Sequence, residues 1–479
     1  MRNAPTHRRW PRFRSRSILW LILASIPLAW EGPGAAMTCN VKRPYSPERL
    51  EKVPTFSRVR AGRRFRKGDR IEIFAFPRCR PIRAQWTLTR NRVATPFAEG
   101  EGGVQMDQSV RMVIPSEKLT PGFYDVHFKI WSTATRVETG RATFGWCIED
   151  MPVTPSQPKD FEAFWRKAAG QVRSVPLNPA EQFIREMTSA EVSRYNIENA
   201  SIPEEYDPQA RRADNVRLYN VQFDSTGGRR MYAWLAKPVG KGPFPTLLVL
   251  PGAGCGQVAA PVEHARHGYL ALMLQVHAQD VDLPKYKPIQ TYQGPPEKKR
   301  VEDDTFYQVY LSCVQAVRYL QSRDDVDGDR LAVAGGSQGG HLALVTAALC
   351  PDAVKAVVSS ICWRGYRPFT DHVRSLNRRG VDGLDEPASP FDGTDRHQNI
   401  RSYYDAMNFA PMVRAPTVMS VCMIDKASPV TTVYATYRNL PDIPKELHWS
   451  PGTHHDLMFA FERRAWRWLD KHLGLGPAE

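Results

Sequence analysis

A glycine-rich corner between an apolar run and a helical run constrains this sequence more than any other stretch. Leu331–Ala334 indicates a buried strand, and Leu342–Leu349 continues as an apolar helix. Between them, Gly335-Gly336-Ser337-Gln338-Gly339 has the G-x-S-x-G spacing of a nucleophile elbow. Glycine has no Cβ, so a strand and a helix can pass close to each other at such a corner. The stretch therefore predicts an exposed Ser337 hydroxyl at the end of a strand, facing the positive end of a helix. A purely structural glycine turn is the alternative interpretation.

Short apolar runs alternate with amphipathic helices on both sides of this corner. The candidate strands are Thr246–Leu250, Leu270–Leu274, Leu331–Ala334, Lys355–Ser359, Thr417–Cys422 and Glu446–Trp449. Such alternation is typical of a parallel sheet with helices on both faces. We therefore expect an α/β fold with a doubly wound sheet in residues 159–479. Ligands of such sheets bind beyond the carboxyl ends of the strands, where the corner lies.

A serine nucleophile needs a base, and the base needs an orienting carboxylate. In hydrolases with this elbow, the acid and then the histidine follow the serine along the chain. Asp425 lies three residues past the strand that ends at Cys422, which is the expected place for the acid. Asp371, Asp395 and Asp405 are weaker candidates, because they precede that strand in an irregular insertion. A helix cap is the non-catalytic interpretation of Asp425.

Two adjacent histidines compete for the role of the base. His454 and His455 both follow the last candidate strand and precede a C-terminal helix, and spacing alone leaves the choice open. A metal-binding pair is not expected, because adjacent side chains diverge and no further ligands cluster nearby. His277, which follows the strand Leu270–Leu274, Trp363, and His454 if it is not the base, are candidates for the pocket wall.

A tetrahedral intermediate needs two backbone N–H donors. Gln338 follows the nucleophile and is the candidate for the first donor. The second is expected from the loop after Thr246–Leu250, which is Pro251-Gly252-Ala253-Gly254-Cys255-Gly256, and Ala253 is its candidate. A phosphate cradle is the alternative, but the loop lacks the glycine spacing of dinucleotide or Walker loops, so no cofactor is expected.

Strand signals dominate residues 40–150, ahead of the α/β region. Arg70–Phe76, Val110–Ile114 and Phe123–Trp131 all alternate apolar and polar residues with period two. Short strands at such intervals predict an immunoglobulin-like β-sandwich, followed by a proline-rich linker at residues 151–158. We expect a packing module here. A carbohydrate-binding module is the alternative, which an exposed aromatic platform would favour.

The first 36 residues have the three parts of an export signal. Arginines populate the start, Ser17–Trp30 is apolar, and Gly34-Ala35-Ala36 offers a small-residue cleavage site. The apolar run is shorter than the roughly 20 residues that a membrane span requires. We therefore expect cleavage and a secreted or periplasmic protein without stable membrane insertion. An uncleaved anchor is the alternative.

Charge and cysteine spacing exclude two classes of function. The formal net charge is +15, but no basic run is interleaved with aromatic residues, so a nucleic-acid partner is not expected. The chain has eight cysteines and no C-x-x-C pair, so a zinc site is not expected either.

From about Phe144 onward the chain resembles the acetylxylan esterases and cephalosporin-C deacetylases of carbohydrate esterase family 7, which are α/β-hydrolases. The resemblance implies Ser337 as nucleophile, Asp425 as acid and His455 as base. His455 is preferred because an acidic residue, here Asp456, follows the catalytic histidine of the family. The motifs that carry the resemblance are Phe161–Trp165, Gly336–Gly340, Asp425 with Pro429, and Pro451–Asp456.

The sequence departs from the family pattern at several positions. His277-Ala-Gln-Asp280 stands where members often have Arg-Gly-Gln, Ala253 stands where they often have tyrosine, and Asp456 replaces glutamate. Compact members also lack an N-terminal β-domain. The resemblance implies a secreted serine carboxyl-ester hydrolase that removes acetyl groups from saccharides. It also implies a homo-oligomer, whose contacts the β-domain could block. The alternatives are a serine peptidase or lactone hydrolase on the same fold, and a non-catalytic carbohydrate-binding protein.

Overall fold

The structure is a computed structural model that describes residues 64–78, 80–154, 156–199, 213–254, 257–283, 286, 300–382, 396–455 and 459–476. The predicted export signal, Asp395 and Asp456 lie outside these described residues. Within them, no helix is both long enough and apolar enough to cross a membrane.

The N-terminal part of the described chain is built from strands. They are β1 (Arg64–Phe65), β2 (Ile71–Ala75), β3 (Arg83–Arg90), β4 (Ala98–Val104), β5 (Val110–Ile114), β6 (Gly122–Trp131) and β7 (Val137–Trp146). Their order is β1-β7-β6-β3-β4-β5-β2, and all neighbours are antiparallel except β1 and β7. Alternate residues such as Ile71 and Ile73 are buried, and they pack into one apolar core with Trp86, Phe128 and Phe144.

A second sheet of nine strands follows in the part of the chain that the structure describes. Its strands are β8 (Ala180–Thr188), β9 (Asn215–Ser225), β10 (Arg229–Pro238), β11 (Phe244–Leu250), β12 (Leu270–Gln275), β13 (Val326–Gly336), β14 (Val354–Ser360), β15 (Thr417–Cys422) and β16 (Lys445–Ser450). Their order is β16-β15-β14-β13-β11-β12-β10-β9-β8. The strands from β16 to β12 in this order are parallel, and β10, β9 and β8 add antiparallel strands at one edge.

The helices lie before, between and after the strands of this second sheet. They are α1 (Phe161–Val172), α2 (Ser189–Asn199), α3 (Val262–Arg266), α4 (Thr305–Gln321), α5 (Gln338–Leu349), α6 (Arg367–Arg379), α7 (Arg396–Ser402), α8 (Ala406–Phe409), α9 (Val430–Arg438) and α10 (Phe459–His472). The helix α4 begins where the carboxylate of its cap Asp304 accepts the N–H of Phe306 at 2.9 Å.

Every candidate parallel strand lies within an observed strand, so the α/β architecture expected from the sequence is confirmed. The strand β13 starts at Val326, five residues before the apolar run that marked it. The edge strand β8 was not expected. Its side chains are mostly exposed, so no apolar alternation marks it in the sequence.

The two faces of the second sheet bury separate apolar layers. Leu331 and Val333 of β13 pack in one layer with the helix α4, whereas Ala332 between them packs in the other. In that other layer, the C-terminal helix α10 contributes Phe461 and Trp466. Helices therefore cover both faces, as a mostly parallel sheet requires.

The strand order reverses between β11 and β13. The chain passes from β11 to β12 on one side and then crosses to β13 on the other. Leu250 at the end of β11 pairs with Gly335 near the end of β13. Such a reversal opens a crevice beyond the carboxyl ends of the strands, where ligands of these folds bind.

The N-terminal strands pack directly against the second part of the chain. Phe123 of β6 meets Tyr434 of α9 edge-on, with ring centroids 5.5 Å apart, and belongs to the same apolar layer as α4. Val93, before β4, packs with Val373 and Leu376 of α6. The first sheet is therefore held by apolar contacts close to the loops that follow β15 and β16.

Candidate active site

Ser337 occupies the corner between β13 and α5 in a sparsely populated backbone conformation, with φ 57° and ψ −115°. Three backbone hydrogen bonds hold it there. Its N–H donates to the Ser360 carbonyl at 2.9 Å, and its carbonyl accepts the N–H groups of His341 and Trp363, both at 3.1 Å. A strained, non-glycine residue held in this way is typical of a functional site.

The glycines around Ser337 allow backbones to approach where no side chain fits. A Cβ on Gly335 would lie 2.5 Å from backbone atoms of Gly339. A Cβ on Gly339 would lie 2.0 Å from the carbonyl oxygen of Leu250, at the end of β11. Helix α5 therefore starts directly against two strands, which presents the Ser337 hydroxyl above the sheet.

The structure brings Ser337, His455 and Asp425 together from three separate chain segments. His455 Nδ1 lies 2.7 Å from Asp425 Oδ2, and His455 Nε2 lies 2.8 Å from Ser337 Oγ. The Asp425 side chain is fully buried, whereas that of His455 is 32 % exposed. In this arrangement the carboxylate accepts the Nδ1 proton, which leaves Nε2 free to accept the serine hydroxyl proton.

The second oxygen of the Asp425 carboxylate has its own partners. Oδ1 accepts the backbone N–H groups of Ala427 at 2.7 Å and Ser428 at 3.0 Å. Because both oxygens are engaged, this buried carboxylate is held in one orientation toward the imidazole.

The alternative acids have other partners. Asp371 pairs with Arg367 at 2.9 Å on α6. Asp405 caps α8 and accepts the N–H groups of Tyr366, Arg367 and Met407. Burial raises the pKa of Asp405 to about 6. These contacts give both residues structural roles.

His454, the other candidate base, lines a groove with Lys426 and Arg141. Within the described part of the chain, no group of three His, Cys, Asp or Glu residues could hold a metal ion. His454 thus lines the groove, whereas the neighbouring His455 contacts Asp425 and Ser337.

The pocket candidates His277 and Trp363 lie near the ends of sheet strands. His277 follows β12, and its N–H donates to the Gln275 side-chain oxygen at 2.6 Å. Burial lowers the pKa of His277 to about 4, so its imidazole is neutral at neutral pH. Trp363 directly adjoins Ser337, because its N–H donates to the Ser337 carbonyl. The Arg364 guanidinium stacks over the Trp363 ring at 4.7 Å.

The two oxyanion candidates lie on opposite sides of the corner. Gln338 is the first residue of α5, so its N–H belongs to the unpaired first turn of a helix. The loop that carries Ala253 passes beside the corner, since a Cβ on Gly252 would lie 3.8 Å from the Gly336 carbonyl oxygen. The side-chain amide of Gln338 is buried, and neither of its polar atoms has a partner among the described residues.

A second buried histidine supports the helix that follows Ser337. His341 of α5 donates from Nδ1 to the Trp363 carbonyl at 3.0 Å and accepts the Tyr310 hydroxyl at Nε2. Burial lowers the pKa of His341 to about 3, so its ring is neutral. No pattern in the sequence indicated a role for His341.

Side chains of the N-terminal sheet that reach the Asp425 loop were also not predicted from the sequence. Arg141 of β7 donates to the carbonyl of Ile424, which is 283 positions away in the chain. Arg141 lies 3.9 Å from Asp125, whose buried carboxylate accepts the Thr143 hydroxyl at 2.6 Å and the Arg92 N–H at 3.0 Å. No local pattern could have indicated a contact between segments so far apart.

Asn91 ties the other end of the same loop to this network. Its side-chain oxygen accepts the hydroxyl of Thr431 at 2.9 Å, and its amide donates to Asp125 at 3.3 Å. Thr431 lies at the start of α9, six residues after Asp425. The N-terminal sheet therefore contacts the chain on both sides of Asp425.

Comparisons with known proteins show the family of this chain. The family model for acetyl xylan esterase (AXE1) matches residues 188–472, which is more than half of the chain. The acetyl esterase Axe7A from Xylanibacter ruminicola is 25% identical over 389 residues, covering 78% of this chain and 80% of that protein. The N-terminal strands lie outside the residues that the family model matches.

Solved structures show the same fold. The acetyl xylan esterase from Paenibacillus sp. R4 superimposes with a TM-score of 0.50 at 24% identity, covering 67% of this chain and 96% of that one. Acetyl xylan esterase 1 from Thermoanaerobacterium sp. JW/SL YS485 gives a TM-score of 0.51 at 21% identity, covering 68% and 99%. The resemblance noted in the sequence is thereby confirmed, and the chain belongs to the acetyl xylan esterase family of carboxylic ester hydrolases.

Proposed function

We propose that this enzyme uses Ser337 as its nucleophile to remove acetyl groups from saccharides. The observation that carries the proposal is the chain of hydrogen bonds from Ser337 Oγ through His455 to Asp425, at 2.8 and 2.7 Å. Membership of the acetyl xylan esterase family supports an acetylated saccharide as the substrate.

In the first half of the reaction, Ser337 Oγ attacks the ester carbonyl while His455 Nε2 takes the hydroxyl proton. Asp425 stabilises the resulting imidazolium. The oxyanion faces the N–H groups of Gln338 and Ala253. The C–O bond to the sugar then breaks, and His455 returns the proton to the leaving saccharide hydroxyl. An acetyl group remains on Ser337.

In the second half, a water molecule replaces the sugar. His455 accepts a proton from this water as its oxygen attacks the acetyl carbonyl. The bond to Ser337 Oγ breaks, the proton returns to that oxygen, and acetic acid leaves and ionises to acetate in water. The free enzyme is regenerated without a cofactor.

A substrate panel tests this proposal. Wild-type protein is assayed on acetylated xylo-oligosaccharides, aryl acetates and aryl esters of longer acyl chains, lactones and aminoacyl amides. We expect the highest kcat/KM among acyl chain lengths for acetyl. Faster hydrolysis of the amides or of the lactones than of every acetyl ester would overturn the proposed substrate class.

For the N-terminal strands, we propose an immunoglobulin-like β-sandwich. Strand β4 supports it, because its first part pairs with β3 and its last two residues pair with β5. One strand thus takes part in two sets of pairings around a common apolar core. A crystal structure in which β2 and β5 do not face β3 and β6 across that core would contradict it.

We further propose that residues 1–36 direct export and are removed. The support is the order of a basic, an apolar and a small-residue region in the sequence. N-terminal sequencing of protein recovered from outside the cytoplasm should begin after Ala36. Recovery of chains that begin at Met1 would argue for an uncleaved anchor.

A further inference from the structure

A groove lies between the outer face of the N-terminal sheet and the loops that carry Asp425 and His455. Its volume is about 910 Å³, within the roughly 300–1,000 Å³ of small-molecule sites. Ile424 and Lys426 line it from one catalytic loop, and Gly452 and His454 line it from the other. We call it the sheet groove.

The lining residues place the sheet groove beside the proposed catalytic residues. Ile424 and Lys426 flank Asp425, and His454 precedes His455, whereas Ser337, Asp425 and His455 are not among the residues that line the groove. The sheet groove therefore runs beside the reacting atoms and not over them, so a ligand in it contacts a part of a substrate remote from the ester.

Two rows of polar side chains form the floor of the sheet groove. Each row crosses the adjacent strands β4, β3, β6 and β7, so it extends about 15 Å at the usual spacing of strands. The first row is Glu99, Thr87, His127 and Arg141. The second row is Glu101, Gln85, Lys129 and Thr139.

The chemistry of this floor favours a ligand rich in hydroxyl groups. Every side chain of the two rows is able to donate or accept hydrogen bonds. The aromatic residues Trp86 and Phe128, in contrast, are buried beneath the rows. A lipid surface or an apolar partner face would leave these polar groups without partners. The carboxylates of Glu99 and Glu101 oppose a nucleic-acid backbone, because they repel phosphate.

Acidic and basic side chains lie toward opposite ends of the rows. The carboxylates lie at the β4 end, far from the catalytic loops, while Lys129, Arg141 and Lys426 lie toward the β7 end. A neutral polyhydroxyl chain can donate to the carboxylates and accept from the cations along its length. A single sugar ring cannot span both ends of a 15 Å row.

We propose that the sheet groove binds the saccharide chain next to the residue that carries the scissile acetyl group. This inference rests on the proposed function and adds to it that the N-terminal sheet supplies the chain-binding surface. The enzyme then prefers acetylated oligosaccharides over acetylated monosaccharides or aryl acetates, because only a chain reaches both the ester site and the sheet groove.

The test compares two substrates in two groove variants and one control. The variants are Gln85→Ala/Lys129→Ala, which removes two exposed side chains of the second row, and Thr139→Trp, which covers the floor with an indole. The control is Lys118→Ala, an exposed lysine on the turn before β6 that does not line the groove. Far-UV circular dichroism and Tm verify that each variant is folded.

The readout is the ratio of kcat/KM for acetylated xylohexaose to kcat/KM for 4-nitrophenyl acetate. We expect the ratio to fall at least tenfold in both groove variants, mainly through KM for the hexaose, and to stay within twofold in the control. Titration of acetylated xylohexaose into the Ser337→Ala protein should give a correspondingly weaker Kd when either groove change is added.

The outcomes separate the two proposals. If wild-type protein hydrolyses neither acetate, the proposed function is wrong. If it hydrolyses both and the ratio and Kd in the groove variants remain within twofold of wild type, the ester hydrolase stands and the sheet groove is not the chain-binding site.

Discussion

Arg141 of the N-terminal sheet donates a hydrogen bond to the carbonyl oxygen of Ile424, the residue that precedes Asp425. The Arg141 side chain is only 12 % exposed, and its guanidinium lies 3.9 Å from the buried Asp125 carboxylate. A group outside the catalytic fold therefore holds the loop of the proposed catalytic acid in place. We regard Arg141 as a positioning residue.

Replacing Arg141 tests this relationship. We expect Arg141→Ala to lower kcat for 4-nitrophenyl acetate about tenfold to a hundredfold, because a displaced Asp425 loop misaligns His455. KM for this small ester should change little, since it does not fill the sheet groove. Arg141→Lys should recover part of kcat, because an ammonium can still donate to the Ile424 carbonyl. A kcat within twofold of wild type in folded Arg141→Ala protein would contradict the positioning role.

Ser337→Ala should remove ester hydrolysis while leaving the fold intact. Loss of a triad residue typically costs on the order of 10⁴–10⁶-fold in turnover. Ser174→Ala, at an exposed position after α1, is the matched control and should retain the wild-type rate. A rate above about a tenth of wild type in folded Ser337→Ala protein would exclude this serine as the nucleophile.

The adjacent histidines should behave very differently. His455→Ala should be as severe as Ser337→Ala, because Nε2 and Nδ1 of His455 link the serine to the acid. Losses within such a unit are not additive, so the double variant should be no worse than either single one. His454→Ala should cost about tenfold or less, roughly 1.4 kcal/mol of barrier. Steady-state rates on one acetyl ester decide the assignment, and the reverse order of severity would transfer the base to His454.

Gly339→Ala should destabilise the protein far more than Gly328→Ala. The added Cβ would meet the Leu250 carbonyl oxygen at 2.0 Å, and backbone on a central strand cannot yield, so a loss above about 3 kcal/mol is expected. Gly328 lies in the same strand as the nucleophile corner, and a Cβ there meets nothing within 4 Å. Urea unfolding followed by circular dichroism gives both free energies. Equal midpoints for the two variants would show that the corner can relax.

The pH dependence of stability should reveal the buried His341. Burial lowers its pKa from an ordinary 6.5 to about 3, so between these values the unfolded chain binds a proton that the folded protein does not. Stability contributed by this group is therefore complete above pH 6.5 and is lost as pH falls, by up to about 1.4 kcal/mol per pH unit. His341→Gln removes this titration. Between pH 6 and 4, the unfolding free energy of the variant should fall less steeply than that of wild type, and identical slopes would contradict the prediction.

The sequence by itself predicted those features of this protein that depend on residues close together in the chain. Apolar runs marked the strands β11 to β15, because burial on both faces of a parallel sheet selects apolar residues directly. The Gly335–Gly339 run marked the corner, because only glycine tolerates backbone atoms at 2.0–2.5 Å from a would-be Cβ. The order of serine, acid and histidine along the chain then made Asp425 the candidate acid, and a family resemblance was needed to prefer His455 over His454 as the candidate base.

Tertiary structure alone decided the relations between distant segments. The edge strand β8 could not be predicted from the sequence, because its side chains are mostly exposed and form no apolar pattern. The contact of Arg141 with Ile424 spans 283 positions, and the floor of the sheet groove combines four strands whose register depends on pairing across the sheet. The period of apolar residues indicates which side of a helix or strand is buried. It does not indicate which distant element covers that side. The place of the N-terminal sheet beside the proposed catalytic acid therefore depends on the packing of Phe123 and Val93 against α9 and α6.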